Sequence, residues 1–206
     1  MKTFMYVDGE NIFYQLVDIL IQAKRITKRD ELIKFDMKWL LCEAVRLKDQ
    51  PKTIRYYGTK LHLIKGMGKA TEARSLRMIQ HKRAWGSWLS SQKIIYVTAG
   101  NLKARQSGKT ISFQEKGVDV RLAVDMVQDA CYSGKTHLVL VSSDSDLTPA
   151  VSAARLQKQK VTYVAFSETI NKGMAFTATQ TLTFTRDDVI EAYDRANIQK
   201  TGKQNG

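Results

Sequence analysis

Short, unbroken apolar runs recur along the chain and are separated by longer segments in which apolar residues return at helical spacing. The clearest run is Leu-Val-Leu-Val at residues 138–141, which two serines follow directly. A run without polar alternation is typical of a strand that is buried on both faces of a parallel sheet. Similar patterns predict strands at residues 3–7, 53–59, 94–97 and 161–166, and an edge strand at residues 181–185.

The segments between these runs predict helices. Apolar residues between positions 12 and 23 keep helical spacing, and Asn11 is expected to cap this helix. Strands and helices alternate about five times, and crossovers between parallel strands place helices on both faces of a sheet. The predicted fold is therefore α/β, a three-layer α/β/α Rossmann-like domain with a mainly parallel central sheet. Further helices are predicted at residues 36–47, within 60–92, and at 118–131, 147–158, 167–176 and 186–197.

Two connecting segments have a different character. Residues 24–34 are mostly charged and are expected to form a solvated connection. Residues 101–116 contain a Ser-Gly turn between two short extended stretches, which predicts a hairpin. Such a hairpin would carry four cationic residues close to the helix that follows it, and we expect them to contact nucleic acid. These residues are Lys103, Arg105, Lys109 and Lys116.

Length and composition limit the domain organisation. The 206 residues, 43% of them hydrophobic, suffice for one core. We expect a single domain over residues 1–195 and a basic, disordered tail over residues 196–206. Cys42 and Cys131 both lie in apolar helical patterns and are predicted to be reduced and buried. The start of the sequence reaches Asp8 too early for a signal peptide and no run approaches the ~20 apolar residues of a membrane span, so a cytoplasmic location without membrane contact is expected.

The charge balance is strongly positive. Lys and Arg number 33 against 20 Asp and Glu, which gives a formal net charge of +13. A surplus of this size favours binding to polyanions such as nucleic acid, although a basic surface can also serve solubility alone. The cationic helix within residues 60–92 allows both interpretations, because it can cover the core with its aromatic residues or flank a nucleic-acid groove.

Carboxylates follow the ends of the predicted strands. Asp8 ends the first strand, and Asp144 and Asp146 follow the central one. Ligands of open α/β sheets bind at the carboxyl ends of the strands, so this edge is the expected site. Asp119 opens the apolar face of the helix at residues 118–131, where a carboxylate needs a partner. The structural alternatives are a turn or cap role for Asp8 and a helix-dipole role for Asp119.

Four carboxylates at one edge would repel one another unless a cation neutralised them. Oxygen ligands of this kind suit Mg²⁺ or Mn²⁺. A divalent cation can activate water for attack on a phosphodiester, and surrounding cations can hold the polymer. The chemistry predicted from these residues is hydrolysis of RNA or DNA.

Three ordered motifs carry a family resemblance. They are Val-Asp-Gly-Glu-Asn at residues 7–11, Lys-Gly-Val-Asp at 116–119 and Val-Ser-Ser-Asp-Ser-Asp at 141–146. Together they resemble the NYN domain, a PIN-like nuclease fold, and particularly its LabA-like bacterial group. The family commonly has glycine where this chain has Ser143.

This resemblance implies a catalytic site and its partners. The implied activity is that of a metal-dependent ribonuclease, with single-stranded or structured RNA as the partner, and a homodimer is left open. The resemblance also implies that Asn11 orients a carboxylate or a water. The residues implied to hold the cation are Asp8, Asp119, Asp144 and Asp146.

The sequence leaves two other functions open. The acidic edge could bind a metal for structure, or bind none, while the basic surface binds RNA as an adaptor without cleavage. Residues 144–148 also fit the Asp-x-Asp-x-Thr signature of haloacid-dehalogenase-like phosphatases, in which the first Asp is a covalent nucleophile. That signature normally follows the first strand, and here only Asp187 and Asp188 remain to serve as the distal acidic pair.

Overall fold

The computed structural model describes residues 1–60, 68–107 and 110–198, and the side chains among them other than those of residues 60, 101–115 and 198. The strands in these ranges are β1 Lys2–Asp8, β2 Thr53–Lys60, β3 Ile95–Ser107, β4 Thr110–Lys116, β5 Thr136–Val141, β6 Lys160–Phe166 and β7 Gln180–Phe184. The helices are α1 Gly9–Gln22, α2 Met37–Trp39, α3 Lys69–Ser91, α4 Val118–Tyr132, α5 Thr148–Leu156, α6 Lys172–Thr177 and α7 Arg186–Ile198. A π-helical turn, Leu40–Ala44, continues α2.

The strands form one sheet in the order β4-β3-β2-β1-β5-β6-β7. All neighbouring strands are parallel except β3 and β4, which are antiparallel. From β1 the chain moves outward through β2 and β3, and later returns to place β5 on the other side of β1. The crevice at the carboxyl ends of β1 and β5 is therefore a topological switch point, where open α/β sheets bind ligands. The predicted three-layer, mainly parallel α/β fold is confirmed.

Apolar packing covers both faces of the sheet. Met5 and Val7 of β1 belong to a core that includes Leu16 of α1, whereas Tyr6 points to the opposite core with Leu122 of α4. These side chains are fully buried, and each contributes roughly 1.5–3 kcal/mol through removal of its surface from water. Burial on both faces explains why β5 has no polar alternation in the apolar run 138–141 and why β1 is apolar up to Asp8.

The β3–β4 hairpin determines where α4 begins. β2 and β3 pair as far as Lys60 and Asn101, and β4 then runs back until Lys116 lies opposite Asn101. Gly100 has a φ of +67°, and a Cβ there would lie 2.2 Å from the carbonyl oxygen of Lys116. Only glycine fits this close approach. The return of β4 therefore delivers the start of α4 to the carboxyl edge of the sheet.

The predicted hairpin is thus confirmed. Of its four predicted nucleic-acid contacts, the structure describes only one side chain. Lys116 is exposed at the base of the hairpin. Lys103 and Arg105 lie on β3, where the structure describes the backbone but not these two side chains, and Lys109 lies outside the described residues. The predicted tail lies outside them as well from residue 199 onward.

Three local predictions were wrong. Asp8, and not Asn11, caps α1, because the Asp8 side chain accepts a hydrogen bond from the Asn11 N–H. Cys131 is exposed, although Cys42 is buried as predicted and both cysteines are free. The charged segment 24–34 is not a simple solvated connection, since Ile26 and Leu32 anchor it in the core. Among the described residues, no helix has both the length and the apolar character needed to cross a membrane.

Candidate metal centre

Three carboxylates converge at the switch point. Asp8 ends β1, Asp144 follows β5, and Asp119 lies in the first turn of α4. One carboxylate oxygen of each lies within 4.8 Å of the others. Asp8 is only 4% exposed, and the other two are partly buried. Residues that lie far apart in the sequence therefore form one compact group of oxygen ligands.

The Asp8 carboxylate is fixed by two hydrogen bonds. Its Oδ1 accepts from the Asn11 N–H at 3.2 Å, and its Oδ2 accepts from the Ser142 hydroxyl at 2.7 Å. The Ser142 Oγ in turn accepts from the Asp144 N–H at 3.0 Å. Ser142 therefore links the ends of β1 and β5. Ser142 was not among the predicted site residues, although its position directly after the buried run of β5 is a usable signal.

The loop that carries Asp144 is held by α1. Asn11 Oδ1 accepts hydrogen bonds from the Ser143 N–H at 3.1 Å and from the Ser143 hydroxyl at 3.0 Å. Gln15 Nε2 donates to both Asn11 Oδ1 and Ser143 Oγ, at 2.8 Å each, and Gln15 Oε1 accepts from the Thr169 hydroxyl at 2.6 Å. Asn11 thus contacts the Asp8 carboxylate through its backbone, while its side chain positions the loop.

Asp146 is placed differently from the other three acids. Its side chain is exposed, and within the described residues it is not part of the compact carboxylate group. Its backbone N–H donates to Asp144 Oδ1 at 2.9 Å, which caps the 3₁₀ turn Ser145–Leu147. Asp146 follows Asp144 by two residues, a separation of at most ~7 Å between Cα atoms. Asp146 lies at the rim of the centre.

Burial and mutual repulsion make the ionised carboxylates unfavourable. Burial raises the pKa of Asp8 to about 6, with further increases from Asp119 and Asp144, and the hydrogen bonds from Ser142 and Asn11 only partly oppose this. Burial, Asp144 and Asp146 also raise the pKa of Asp119. A bound cation would remove this repulsion. The donor set contains only carboxylate oxygens, so the residues fit a hard divalent ion such as Mg²⁺ or Mn²⁺.

Comparison with known proteins assigns the family. The family model of the NYN domain matches residues 2–185. The chain belongs to the NYN domain family. This assignment agrees with the PIN-like α/β fold and implies a nuclease-type domain that binds nucleic acid and uses a divalent metal.

A solved structure is similar in fold to this NYN domain. A crystal structure of a protein of unknown function, VPA0982 from Vibrio parahaemolyticus RIMD 2210633, is similar to it with a TM-score of 0.57 and 17% sequence identity. The similarity covers 91% of this chain and 94% of that one, which supports the fold alone. A search of the curated proteins found no significant match.

A second polar cluster adjoins the candidate metal centre of the NYN domain. The Glu10 carboxylate contacts the amine of Lys82 and accepts from the Thr59 hydroxyl at 3.3 Å. Arg29 lies 3.4 Å from the other Glu10 oxygen. Glu10 is therefore neutralised by cations from α3 and from the segment before α2. Sequence reasoning missed this role, because nothing near Glu10 in the sequence identifies its partners.

The phosphatase interpretation receives no support from the placement of its second acidic pair. Asp188 Oδ2 accepts from both the N–H and the hydroxyl of Thr185, at 2.7 Å each. It therefore caps the start of α7. Within the part of the chain that the structure describes, neither Asp187 nor Asp188 belongs to the carboxylate group.

Replacing Ser143 with alanine is expected to lower the free energy of unfolding by about 1 kcal/mol, because the hydroxyl no longer bonds to Asn11 and Gln15. The Ser143 N–H keeps its bond to Asn11, so the loop should retain its course. Urea unfolding measures the change. Ser145→Ala, at an exposed position two residues later, is the matched control and should change stability much less. Equal losses in both variants would contradict the role of the Ser143 hydroxyl.

Proposed function

We propose that this NYN domain is a metal-dependent ribonuclease that hydrolyses phosphodiester bonds in RNA. Asp8, Asp119 and Asp144 are proposed to hold Mg²⁺ or Mn²⁺, with Asp146 at the rim of the site. The observation that carries the proposal is the convergence of three carboxylates from separate segments within 4.8 Å, at the switch point of the sheet. Nuclease chemistry is what the family assignment leads us to expect there.

The residues of the chain have distinct roles in this proposal. A divalent cation supplies Lewis-acid chemistry, since it lowers the pKa of water and offsets negative charge on the phosphate. Asp8 is held rigidly by Ser142 and by the first turn of α1, which fixes the centre relative to the sheet. We propose that the exposed Asp146 carboxylate accepts a hydrogen bond from the attacking water.

The RNA is proposed to be held by the basic surface beside the centre. The net charge of +13 attracts the polyanion, and the exposed Lys116 lies three residues before Asp119. We further propose that Lys103, Arg105 and Lys109, which belong to the hairpin segment, contact the strand. The preference for RNA over DNA follows the family resemblance of the three acidic motifs.

The buried, repelling carboxylates support the binding of a cation. Burial and the charges of Asp119 and Asp144 raise the pKa of Asp8 to about 6, which destabilises a protein that binds no cation there. A nuclease and an adaptor with a structural metal would both gain from a bound cation, so a cleavage measurement has to separate them.

Incubation of the purified protein with labelled single-stranded RNA tests the proposal. Cleavage is expected with Mn²⁺ or Mg²⁺ and none with EDTA, and labelled DNA of the same sequence tests the RNA preference. Isothermal titration with Mn²⁺ measures ion binding separately. RNA binding without cleavage under every metal condition would reject the nuclease in favour of the adaptor.

A further inference from the structure

The first half of α3 is more cationic than a core helix. Over residues 69–83 it carries five Lys and Arg residues and one acid, Glu72. The buried residues of α3 are Ser75, Trp85 and Leu89, of which only Ser75 lies in this first half. None of the apolar side chains at residues 69–83 is fully buried, so core packing does not account for the cations of this segment. The cations in question are Lys69, Arg74, Arg77, Lys82 and Arg83.

This half of α3 forms a concave surface with the segment before α2. The 3₁₀ turn Arg29–Glu31 lies beside the helix, and a cavity of about 280 Å³ opens between them. Among the residues that the structure describes, its charged lining comprises four permanent cations and one acid, with Glu10 behind Lys82 as a second acid. Positive charge therefore remains in excess. The charged lining residues are Arg29, Asp30, Arg74, Arg77 and Lys82.

Two of the cations are held in place before any ligand binds. The Arg29 guanidinium lies 4.3 Å from the centre of the Tyr14 ring and donates to the Tyr14 hydroxyl at 2.8 Å. The Lys82 amine is held by Glu10 and Thr59. Fixed cations lose little entropy on binding an anion. Arginine in particular presents a planar fork that matches two oxygens of a phosphate.

We propose that this cavity binds a phosphate group of the RNA strand, as a subsite separate from the carboxylate centre. The identity of the strand as RNA rests on the proposed function, whereas the phosphate site rests on the cavity and its cations. Glu10 connects the two places, because it contacts Arg29 and Lys82 and follows Asp8 by two residues, a separation of at most ~7 Å between Cα atoms. A strand lying in the centre can therefore reach the cavity within a few nucleotides.

Charge removal on α3 tests the subsite. The variant Arg74→Gln/Arg77→Gln should bind a short single-stranded RNA roughly tenfold more weakly, and the slope of log affinity against log salt should fall by ~0.7 for each phosphate that is no longer neutralised. Fluorescence anisotropy in EDTA measures both without cleavage. The control Lys38→Gln/Lys135→Gln removes the same charge from two exposed positions that do not line the cavity and should change affinity much less.

The choice of RNA distinguishes a terminal phosphate from a backbone phosphate as the group that the cavity binds. If the cavity takes a terminal phosphate, the weaker binding appears with 5′- or 3′-phosphorylated RNA and not with RNA bearing hydroxyl ends. If it takes a backbone phosphate, hydroxyl-ended and circular RNA show the same weakening, and either pattern supports the subsite. Equal affinity of the variant and the control for every RNA would overturn it. The single variant Arg77→Gln, checked by thermal unfolding, repeats the test if the double variant is poorly folded.

Because these measurements are made without divalent metal, they do not depend on cleavage. A protein that never cleaves RNA but binds it more weakly after substitution of Arg74 and Arg77 would retain the subsite and lose the nuclease proposal. A protein that cleaves RNA with unchanged affinity in this variant would do the reverse. The two proposals can therefore fail independently.

Discussion

Replacing Asp119 with asparagine is expected to slow metal-dependent RNA cleavage by roughly 10²–10³-fold, while the free energy of unfolding in EDTA stays the same or rises. The loss of activity follows from removing one of three carboxylates that lie within 4.8 Å of one another. The equal or higher free energy of unfolding of the variant follows from the raised pKa of Asp119. An uncharged side chain of the same shape avoids the burial of charge and the repulsion from Asp144 and Asp146.

The opposite directions of these two effects make the result diagnostic. A variant that loses activity because it unfolds would show a lower midpoint in urea, whereas this one should show an equal or higher midpoint. Single-turnover cleavage with Mn²⁺ and urea unfolding in EDTA give the two readings. Asp18→Asn, at an exposed position on α1, is the control and should leave both unchanged. Full activity in Asp119→Asn would remove Asp119 from the proposed centre.

Strand patterns were sufficient to predict the central sheet and the placement of Asp8 and Asp144 at its edge, and the family resemblance added Asp119. Buried parallel strands appear as uninterrupted apolar runs, so β1 and β5 were visible, and carboxylates that follow them must lie at one edge. The position of Asp119 was harder to predict from strand patterns, because it depends on how far β4 runs back along β3. That register is set by the pairing of Asn101 with Lys116 and by the close approach at Gly100, which are contacts between strands that local patterns do not encode.

Local rules failed where two positions satisfied the same rule. Asp8 and Asn11 are both good helix caps, and the pairing of β1 with β2 as far as Asp8 and Tyr57 is what makes Asp8 the last residue before the helix. The prediction that Cys131 is buried was wrong for a related reason. α4 is apolar over most of its circumference, so periodicity does not show which face is buried, and Val120 and Val124 are exposed as Cys131 is.

Replacing Asp8 with asparagine is expected to stabilise the protein in EDTA by about 3 kcal/mol at neutral pH, while abolishing cleavage. The pKa of Asp8 is raised from 3.8 to about 6 by burial and by the neighbouring carboxylates. Between these values the folded protein binds more protons than the unfolded chain, so the free energy of unfolding falls as the pH rises through this window. Asparagine does not titrate and avoids this loss.

The stability difference between Asp8→Asn and the wild type should therefore grow from about pH 4 to about pH 6 and remain constant above it. Urea unfolding across this range measures the difference, in which the titration of groups that do not interact with Asp8 cancels. Saturating Mn²⁺ at neutral pH should stabilise the wild type and leave the variant nearly unchanged, since an ion that binds only the folded state adds its binding free energy to stability. A difference that is independent of pH would mean that Asp8 is not buried among like charges, and the electrostatic reason for a cation at this edge of the sheet would then disappear.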